Sequence, residues 1–333
     1  IWWDEARNID VALRPFDQIA SAPELDIQPP LYYWLLHGWA QVNGLMPGEA
    51  PAQLAFLVRF LSVAAGLVGT ALLYPLGVRT LSPLAGLFAT LIAALSPFWL
   101  AESQETRMYT LGFALLTGAA LALVWGIEQR GTEAQRHDGI RSSSPNRHWA
   151  RLWPFVLFTL LATLAILNHY NAIFVLVAWY AWWGVWAAWQ PDRWRQWRRL
   201  FWCGLATALL LTPLIPLALR QIPTYANPNL TIPTVADYLS QNWRAYLGGY
   251  AFDPALLGGL GTHWLWVALA VVIGGLCLVI YHTWRSRSTN RPLTTQYAAF
   301  LLVWAIGGVA LYYVAVLDRG AFNVRYSSFI TPA

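Results

Sequence analysis

Long apolar runs alternate with short clusters of charged and polar residues along most of the chain. Eight runs contain no charged residue, and they cover 60–78, 80–101, 108–127, 152–168, 170–189, 200–219, 264–281 and 293–317. Most of them approach or exceed the roughly 20 residues that a helix needs to cross a hydrocarbon core of about 30 Å. Strands of a membrane barrel would instead show short segments of alternating polarity. The pattern therefore predicts an all-α polytopic membrane protein with eight complete spans.

The segment before the first run forms a separate region. Within it, Pro29 and Pro30 can begin a helix, and the apolar, aromatic stretch 31–39 is too short to span a membrane. We therefore expect an external loop with interfacial helices over 1–58 and a helical bundle over 59–333. The chain begins at Ile1 in an external segment and ends at Ala333 near a re-entry point. We expect a further helix before it and at least one after it.

Three other segments carry structural expectations. The polar segment 128–151 predicts a flexible cytoplasmic loop. The segment 220–263 contains four prolines and predicts a second long external segment with a short helix over 242–250. Eight tryptophans lie between positions 179 and 202. They favour an aromatic belt at the membrane boundary, and a platform for stacking a substrate is the alternative.

The composition agrees with a membrane protein. Hydrophobic residues make up 57% of the 333 positions and charged residues only 11%, whereas soluble domains carry about 25% charged residues. The two cysteines, Cys203 and Cys277, both lie inside apolar runs. We interpret them as packing thiols, because a disulfide framework or a cysteine-based metal site needs clustered partners.

The placement of arginine fixes the orientation, because basic loops stay on the cytoplasmic side. When the loops are assigned alternately to two faces, one face carries 13 of the 21 basic residues and a charge of +9, and the other carries −4. Residue 1 lies on the second face. We therefore expect a multi-pass protein of the cell membrane whose site faces the periplasm or the exterior. The net charge of +5 reflects topology and anionic membrane lipid and gives no argument for nucleic acid.

Two polar strings lie in the external segment. Asp4 and Glu5 are adjacent, so on a helix one carboxylate can face a substrate while an arginine holds the other. The alternative is a solvated start of a loop. The second string covers 26–33, and its members that we expect to line the site are Asp26, Gln28, Pro29, Pro30, Tyr32 and Tyr33. An interfacial turn that begins a helix is compatible with that role.

Four further clusters lie at the external ends of the predicted spans. The residues that we expect to contact a donor phosphate or another part of a substrate are Arg59, Glu105, Arg107, Tyr109, His169, Tyr170, Arg325 and Tyr326. In the short hairpin 103–109, helical spacing would put Glu105 and Tyr109 on one face and Gln104 and Arg107 on another. Snorkelling arginines, a surface salt bridge, a hydrogen-bonded helix end and a structural ion pair are the alternatives for these clusters.

Together these strings resemble the family 39 glycosyltransferases, which include the protein O-mannosyltransferases and the aminoarabinose transferase of lipid A. The likeness runs through nearly the whole chain, and the acidic pair followed by Pro-Pro-Leu-Tyr-Tyr is its most specific part. The resemblance implies a membrane bundle of the GT-C fold, a catalytic aspartate in the first external loop and a sugar donor on a polyprenyl phosphate. Gln28 departs from the family, where histidine or lysine is frequent, so a metal or phosphate contact there does not carry over.

The resemblance assigns chemistry to the residues. Asp4 becomes the general base that takes the proton of an acceptor hydroxyl, and Glu5 orients a neighbour. Arg59, Arg107 and Arg325 stabilise the departing phosphate; the chain contains no lysine, so arginine must supply every permanent positive charge. One base and direct displacement predict inversion at the sugar carbon. The acceptor would be a glycolipid, a polysaccharide or a protein.

Other functions stay open at this stage. A transporter or lipid flippase would place ionisable residues at mid-membrane depth, whereas here they cluster at the ends of spans. A non-catalytic scaffold of the cell envelope would not need the acidic pair near arginines. A metal-dependent hydrolase lacks a histidine-rich motif, and no cofactor is indicated, although Glu105 and His169 leave room for a divalent metal.

Overall fold

The computed structural model describes residues 1–48, 52–134, 145–224, 231–249, 293–319 and 322–330, with scattered positions between 263 and 281. Most of the described residues are helical. The α-helices are α1 (Trp3–Ala12), α2 (Phe16–Ile19), α3 (Leu31–Val42), α4 (Leu54–Thr80), α5 (Pro83–Leu95), α6 (Pro97–Ser103), α7 (Tyr109–Ala134), α8 (Pro145–Asn168), α9 (Ala172–Ala188), α10 (Arg193–Leu210), α11 (Ile215–Thr224), α12 (Val235–Gly248) and α13 (Leu293–Arg319). Short 3₁₀ turns cover Pro23–Leu25, Thr212–Leu214 and Val324–Ile330.

Four stretches of helix within the described residues are long and apolar enough to cross a membrane: Leu54–Thr80, Tyr109–Glu128, Arg193–Pro223 and Gln296–Leu317. Helices α5 and α6 are together long and apolar enough to enter the membrane, as a span broken by a bend of 58° or as a re-entrant loop. The apolar stretches Leu152–Asn168 and Ala172–Ala188 are shorter. Seven of the eight predicted runs are thus helical, and the run 264–281 lies largely outside the described residues. The predicted all-α membrane bundle is confirmed.

The bend between α5 and α6 follows from the local sequence. Ser96 ends α5 with an extended backbone, and its hydroxyl accepts a hydrogen bond from the Trp99 amide to cap α6. Pro97 occupies the first position of α6, where its missing N–H costs nothing. A change of direction here carries α6 into the turn 104–108, which contributes Glu105 and Arg107 to the candidate site.

The segment before α4 packs a small core of its own against the bundle. As predicted, a helix begins after Pro29 and Pro30, and it covers Leu31–Val42. Its face joins α1 and α2 in a cluster that buries Val11, Ile19 and Leu25 completely. The acidic pair lies within α1 rather than in a loop, so a buried apolar face fixes its orientation.

Helix α7 lies at the centre of the bundle, between α4 and α8. Of its apolar window, 72% is buried, against 22% for α4. The hairpin between α4 and α5 closes tightly at two glycines, because a Cβ on Gly77 would lie only 2.4 Å from the Cα of Gly86. A larger residue at either position would push α5 away from α4.

Three expectations need correction. Four of the eight tryptophans (Trp179, Trp182, Trp183 and Trp186) belong to the buried core, where they pack on α8 and α13 residues. Only the other four tryptophans are exposed, so at most half of the eight can belong to the predicted aromatic belt. The segment 128–151 is helical up to Ala134 and again from Pro145. Helix α12 begins at Val235, seven residues before the predicted start.

Candidate functional site

Helix α1 directs its two carboxylates to two different arginines. The Asp4 Oδ2 atom lies 2.9 Å from Nη1 of Arg107. The Glu5 carboxylate receives two parallel hydrogen bonds from Arg59, of 2.8 Å from Nε and 2.7 Å from Nη2. Neighbouring helical positions point about 100° apart. The pair therefore separates as expected, and both of its members have an arginine partner.

Glu5 is the more deeply enclosed of the two. Its side chain is 0% exposed, whereas that of Asp4 is 30% exposed. Besides Arg59, its carboxylate accepts hydrogen bonds from the backbone amides of Thr106 (3.0 Å) and Trp2 (3.3 Å). Burial alone raises the pKa of Glu5, but the hydrogen bonds from Arg59, Thr106 and Trp2 outweigh it and hold that pKa below its ordinary value.

The turn 104–108 carries Arg107 into the protein. This turn is not helical, and α7 begins only at Tyr109, so the expected helical faces for Gln104 and Arg107 and for Glu105 and Tyr109 do not form. Arg107 is buried and donates from Nη2 to the Tyr109 hydroxyl over 3.2 Å. Its backbone carbonyl accepts a hydrogen bond from Ser62, which ties the turn to α4. Arg107 is held by both its side chain and its backbone.

Arg325 lies between two glutamates. Its Nη2 atom donates to Oε1 of Glu105 over 2.6 Å, and its Nε atom lies 3.5 Å from Oε1 of Glu102. Its guanidinium also lies 5.4 Å from the centre of the Trp2 ring. Sequence reasoning missed Glu102, which is fully buried at the end of α6. The signal was present: a single acid that ends an apolar run needs a nearby positive charge.

His169 and Tyr326 line the inner side of this group. The His169 ring lies 6.2 Å from that of Tyr109 and 5.9 Å from that of Tyr326. Its Nδ1 atom accepts a hydrogen bond from the Asn171 amide, so Nε2 carries the proton. Burial, and secondarily the charge of Arg107, lowers the pKa of His169 to about 4. The imidazole is therefore neutral near pH 7.

Tyr170 points away from His169. Its hydroxyl donates to the Gln221 side chain on α11 over 2.8 Å. The Gln221 amide in turn donates to the Gln28 carbonyl over 3.3 Å. Tyr170 is thus linked through Gln221 to the segment before α3, and its expected contact with a substrate stays a prediction.

The string 26–33 is largely internal. Pro29, Pro30, Tyr32 and Tyr33 are buried. The Tyr32 hydroxyl lies 2.9 Å from that of Ser62, and the Tyr33 hydroxyl lies within hydrogen-bond distance of the side-chain oxygens of Asn8 and Gln28. These bonds hold the segment against α1 and α4. A contact between these residues and a substrate stays a prediction.

Asp26 is the exception in this string, because its side chain is exposed. It combines a positive φ of 55° with a ψ of −117°, which lies outside the regions that L-residues ordinarily occupy. This turn directs the chain from the 3₁₀ turn at Pro23–Leu25 into the two prolines. The structural role of Asp26 is thus a change of chain direction.

The structure brings most of the predicted residues together at one end of the bundle. We call the charged group the acid–arginine cluster, which comprises Asp4, Glu5, Arg59, Glu102, Glu105, Arg107 and Arg325. Its arginines come from α4, the turn 104–108 and the turn Val324–Ile330, so three distant parts of the sequence meet there. Among the described residues, no three side chains of His, Cys, Asp or Glu form a group suited to a metal ion. Carboxylates paired with guanidiniums are suited to proton transfer and phosphate binding.

Comparison with known proteins identifies the fold. No protein-family model and no curated protein sequence matches the chain. ArnT from Cupriavidus metallidurans has a similar structure in the apo state, with a TM-score of 0.57 and 14% identity over 100% of this chain and 53% of ArnT. The crystal structure of the same protein bound to undecaprenyl phosphate gives a TM-score of 0.55 and 17% identity over 100% of this chain and 54% of ArnT.

An archaeal enzyme shares the fold as well. The oligosaccharyltransferase from Archaeoglobus fulgidus, in complex with Zn and sulfate, has a TM-score of 0.51 and 13% identity, over 99% of this chain and 44% of that one. The chain spans about half the length of the ArnT structures that it matches. At these identities the likeness is one of fold, and it confirms the predicted GT-C membrane architecture.

Proposed function

We propose that this chain forms the catalytic region of a membrane glycosyltransferase that transfers a sugar from a polyprenyl-phosphate carrier to an acceptor hydroxyl. The observation that carries the proposal is the contact of Asp4 with Arg107, beside Glu5 with Arg59, at one end of the bundle. Such a site holds a base and a phosphate-binding group within a few ångströms of each other, as sugar transfer from a lipid phosphate requires.

Asp4 is the base in this proposal. Its side chain is 30% exposed and is the accessible carboxylate of the pair, so an acceptor hydroxyl can reach it. Asp4 takes the hydroxyl proton while the hydroxyl oxygen forms a bond to the anomeric carbon. The bond between that carbon and the phosphate oxygen breaks, and its electron pair leaves with the polyprenyl phosphate. A single displacement of this kind inverts the anomeric centre.

The arginines stabilise the departing phosphate. Arg59 uses Nε and Nη2 for Glu5, and no acceptor among the described residues bonds to its Nη1. Its side chain is 34% exposed, so Nη1 is available to a ligand. Arg107 and Arg325 add positive charge from the other side, each fixed by its own carboxylates. Donors fixed before the reaction stabilise developing charge without the cost of reorganisation.

The remaining assignments rest on the fold and on the charge pattern. ArnT has been crystallised with undecaprenyl phosphate, which supports a polyprenyl carrier for this chain. The acid–arginine cluster lies at the helix ends away from the arginine-rich loops, which supports a site on the periplasmic or external side of the cell membrane. We propose a glycolipid, a polysaccharide or a protein as the acceptor.

The proposal is tested by incubating the purified full-length protein with a panel of polyprenyl-phosphate sugars and envelope acceptors. Release of free polyprenyl phosphate, together with a glycosylated acceptor, is the expected result. Movement of an intact lipid or solute across a vesicle membrane without this release would instead support a transporter or flippase.

A further inference from the structure

A second charged site lies at the opposite end of the bundle. Helix α8 reaches the acid–arginine cluster at Asn168, and α9 leaves it at Ala172. Helix α9 is 17 residues long, which corresponds to about 25 Å. Helix α10 therefore begins, at Arg193, on the far side of the bundle from the cluster.

A groove runs between α8 and α10 at this far end. Its volume is about 650 Å³, within the range of about 300–1,000 Å³ that is typical of ligand sites. Its walls are mainly apolar and include Leu152, Val156 and Leu160 on one side and Ala206 and Leu210 on the other. We call it the arginine groove, because Arg195, Arg198 and Arg199 line the part of it nearest the start of α10.

These arginines occupy one face of the helix. Arg195, Arg198 and Arg199 are followed by Trp202, so spacings of three and four residues put them in one row. Arg199 lies with its guanidinium 4.8 Å from the centre of the Phe155 ring. Arg195 and Arg198 are exposed, and no carboxylate of the described residues forms an ion pair with either of them. Their positive charge is available to an anion.

We propose that the arginine groove binds an anionic phospholipid of the surrounding leaflet. The guanidiniums of Arg195 and Arg198 bind the phosphate in fork geometry. An acyl chain lies along the apolar walls of the rest of the groove. Basic pockets between spanning helices are suited to anionic head groups. A soluble anion would leave the apolar part of the groove unfilled. This site is separate from the acid–arginine cluster and does not depend on sugar transfer.

The test uses the full-length protein in nanodiscs and compares two lipids with identical acyl chains, phosphatidylglycerol and phosphatidylcholine. Native mass spectrometry counts the lipids that stay bound after mild release from the disc. We expect the unchanged protein to keep phosphatidylglycerol preferentially. The double variant Arg195→Gln and Arg198→Gln is expected to lose this preference by about fivefold per arginine at low salt. The matched control is Arg193→Gln, on the same helix end but outside the groove, which is expected to keep it.

A second variant tests the apolar part of the groove. Ala206→Phe fills the apolar part of the groove without removing charge, so it is expected to weaken retention of phosphatidylglycerol. In a separate experiment on the unchanged protein, a 10 mM excess of inorganic phosphate is expected to compete poorly with phosphatidylglycerol. Melting temperatures confirm that each variant is folded. Equal retention of the two lipids by the unchanged protein, an equal loss in Arg193→Gln, or full competition by inorganic phosphate would each overturn the lipid site.

Discussion

The Glu5 carboxylate and the Arg59 guanidinium form a bidentate pair across 54 positions of sequence. Glu5 belongs to α1, and Arg59 lies near the start of α4. The pair fixes α1 on the bundle. Because Asp4 precedes Glu5 on the same helix, the pair also fixes the direction in which Asp4 faces Arg107.

Glu5→Gln is expected to lower the stability of the fold by about 1–3 kcal/mol, because it removes the charge of a fully enclosed carboxylate that accepts hydrogen bonds from Arg59 and from the Thr106 amide. Arg59 is 34% exposed and recovers part of its hydration, so the loss stays below that of a wholly buried pair. Thermal unfolding in detergent measures it. Glu24→Gln is the control, since Glu24 pairs with Arg14 near the surface, and it is expected to cost less than about 1 kcal/mol. Equal melting temperatures for Glu5→Gln and the unchanged protein would contradict the structural role.

The contribution of Glu5 is expected to depend on pH. Its pKa is lowered in the folded state, because the hydrogen bonds from Arg59, Thr106 and Trp2 outweigh the rise that burial causes. The unfolded chain therefore binds this proton at a higher pH than the folded protein does. The stabilisation is complete well above the ordinary glutamate pKa of about 4.3 and is lost as pH falls through the lower folded pKa. The gap in melting temperature between the unchanged protein and Glu5→Gln should shrink as pH is lowered from 7 to 4.

Much of the fold could be predicted, because lipid imposes a simple rule. Backbone groups in a membrane must be satisfied internally, so uncharged runs become helices. The polar strings at the ends of the spans also come together in the structure, since alternate spans return the chain to the same face. This alternation placed Arg59, Arg107 and Arg325 on one face, and the resemblance to the family 39 glycosyltransferases assigned them to the phosphate.

The burial of individual side chains could not be predicted in the same way. Trp183 and Val185 both lie within α9, yet one is 0% and the other 65% exposed. Which face of α9 packs on α8 depends on crossing geometry, which a run apolar on all sides does not encode. Glu102 was missed although it is a single acid at the end of an apolar run, and nothing in the sequence named its partner Arg325, 223 positions away. Gln28 and Tyr33 bond to each other, and their spacing gave no sign of it.

Arg325→Lys is expected to slow sugar transfer by about 10- to 100-fold while keeping the positive charge, because lysine lacks the fork that meets Glu102 and Glu105 together. The rate of release of polyprenyl phosphate at saturating donor measures the effect. Arg244→Lys is the control, since Arg244 is exposed on α12, and it is expected to keep the full rate. If Arg325→Lys transfers sugar at the unchanged rate, charge alone explains the role of Arg325 and the fork geometry does not.

Asp4→Asn tests the base directly. The change keeps the size of the side chain but removes its capacity to take a proton, so transfer is expected to fall by about 10²- to 10⁴-fold. The melting temperature should change little, because the Asp4 side chain is 30% exposed and Glu5 still anchors α1. Asp10→Asn, on the same helix with a 67% exposed side chain, is expected to retain activity. Near-normal turnover by Asp4→Asn would show that Asp4 is not the base. Glu5, which is more enclosed, would then be the other carboxylate of α1 in the cluster to test.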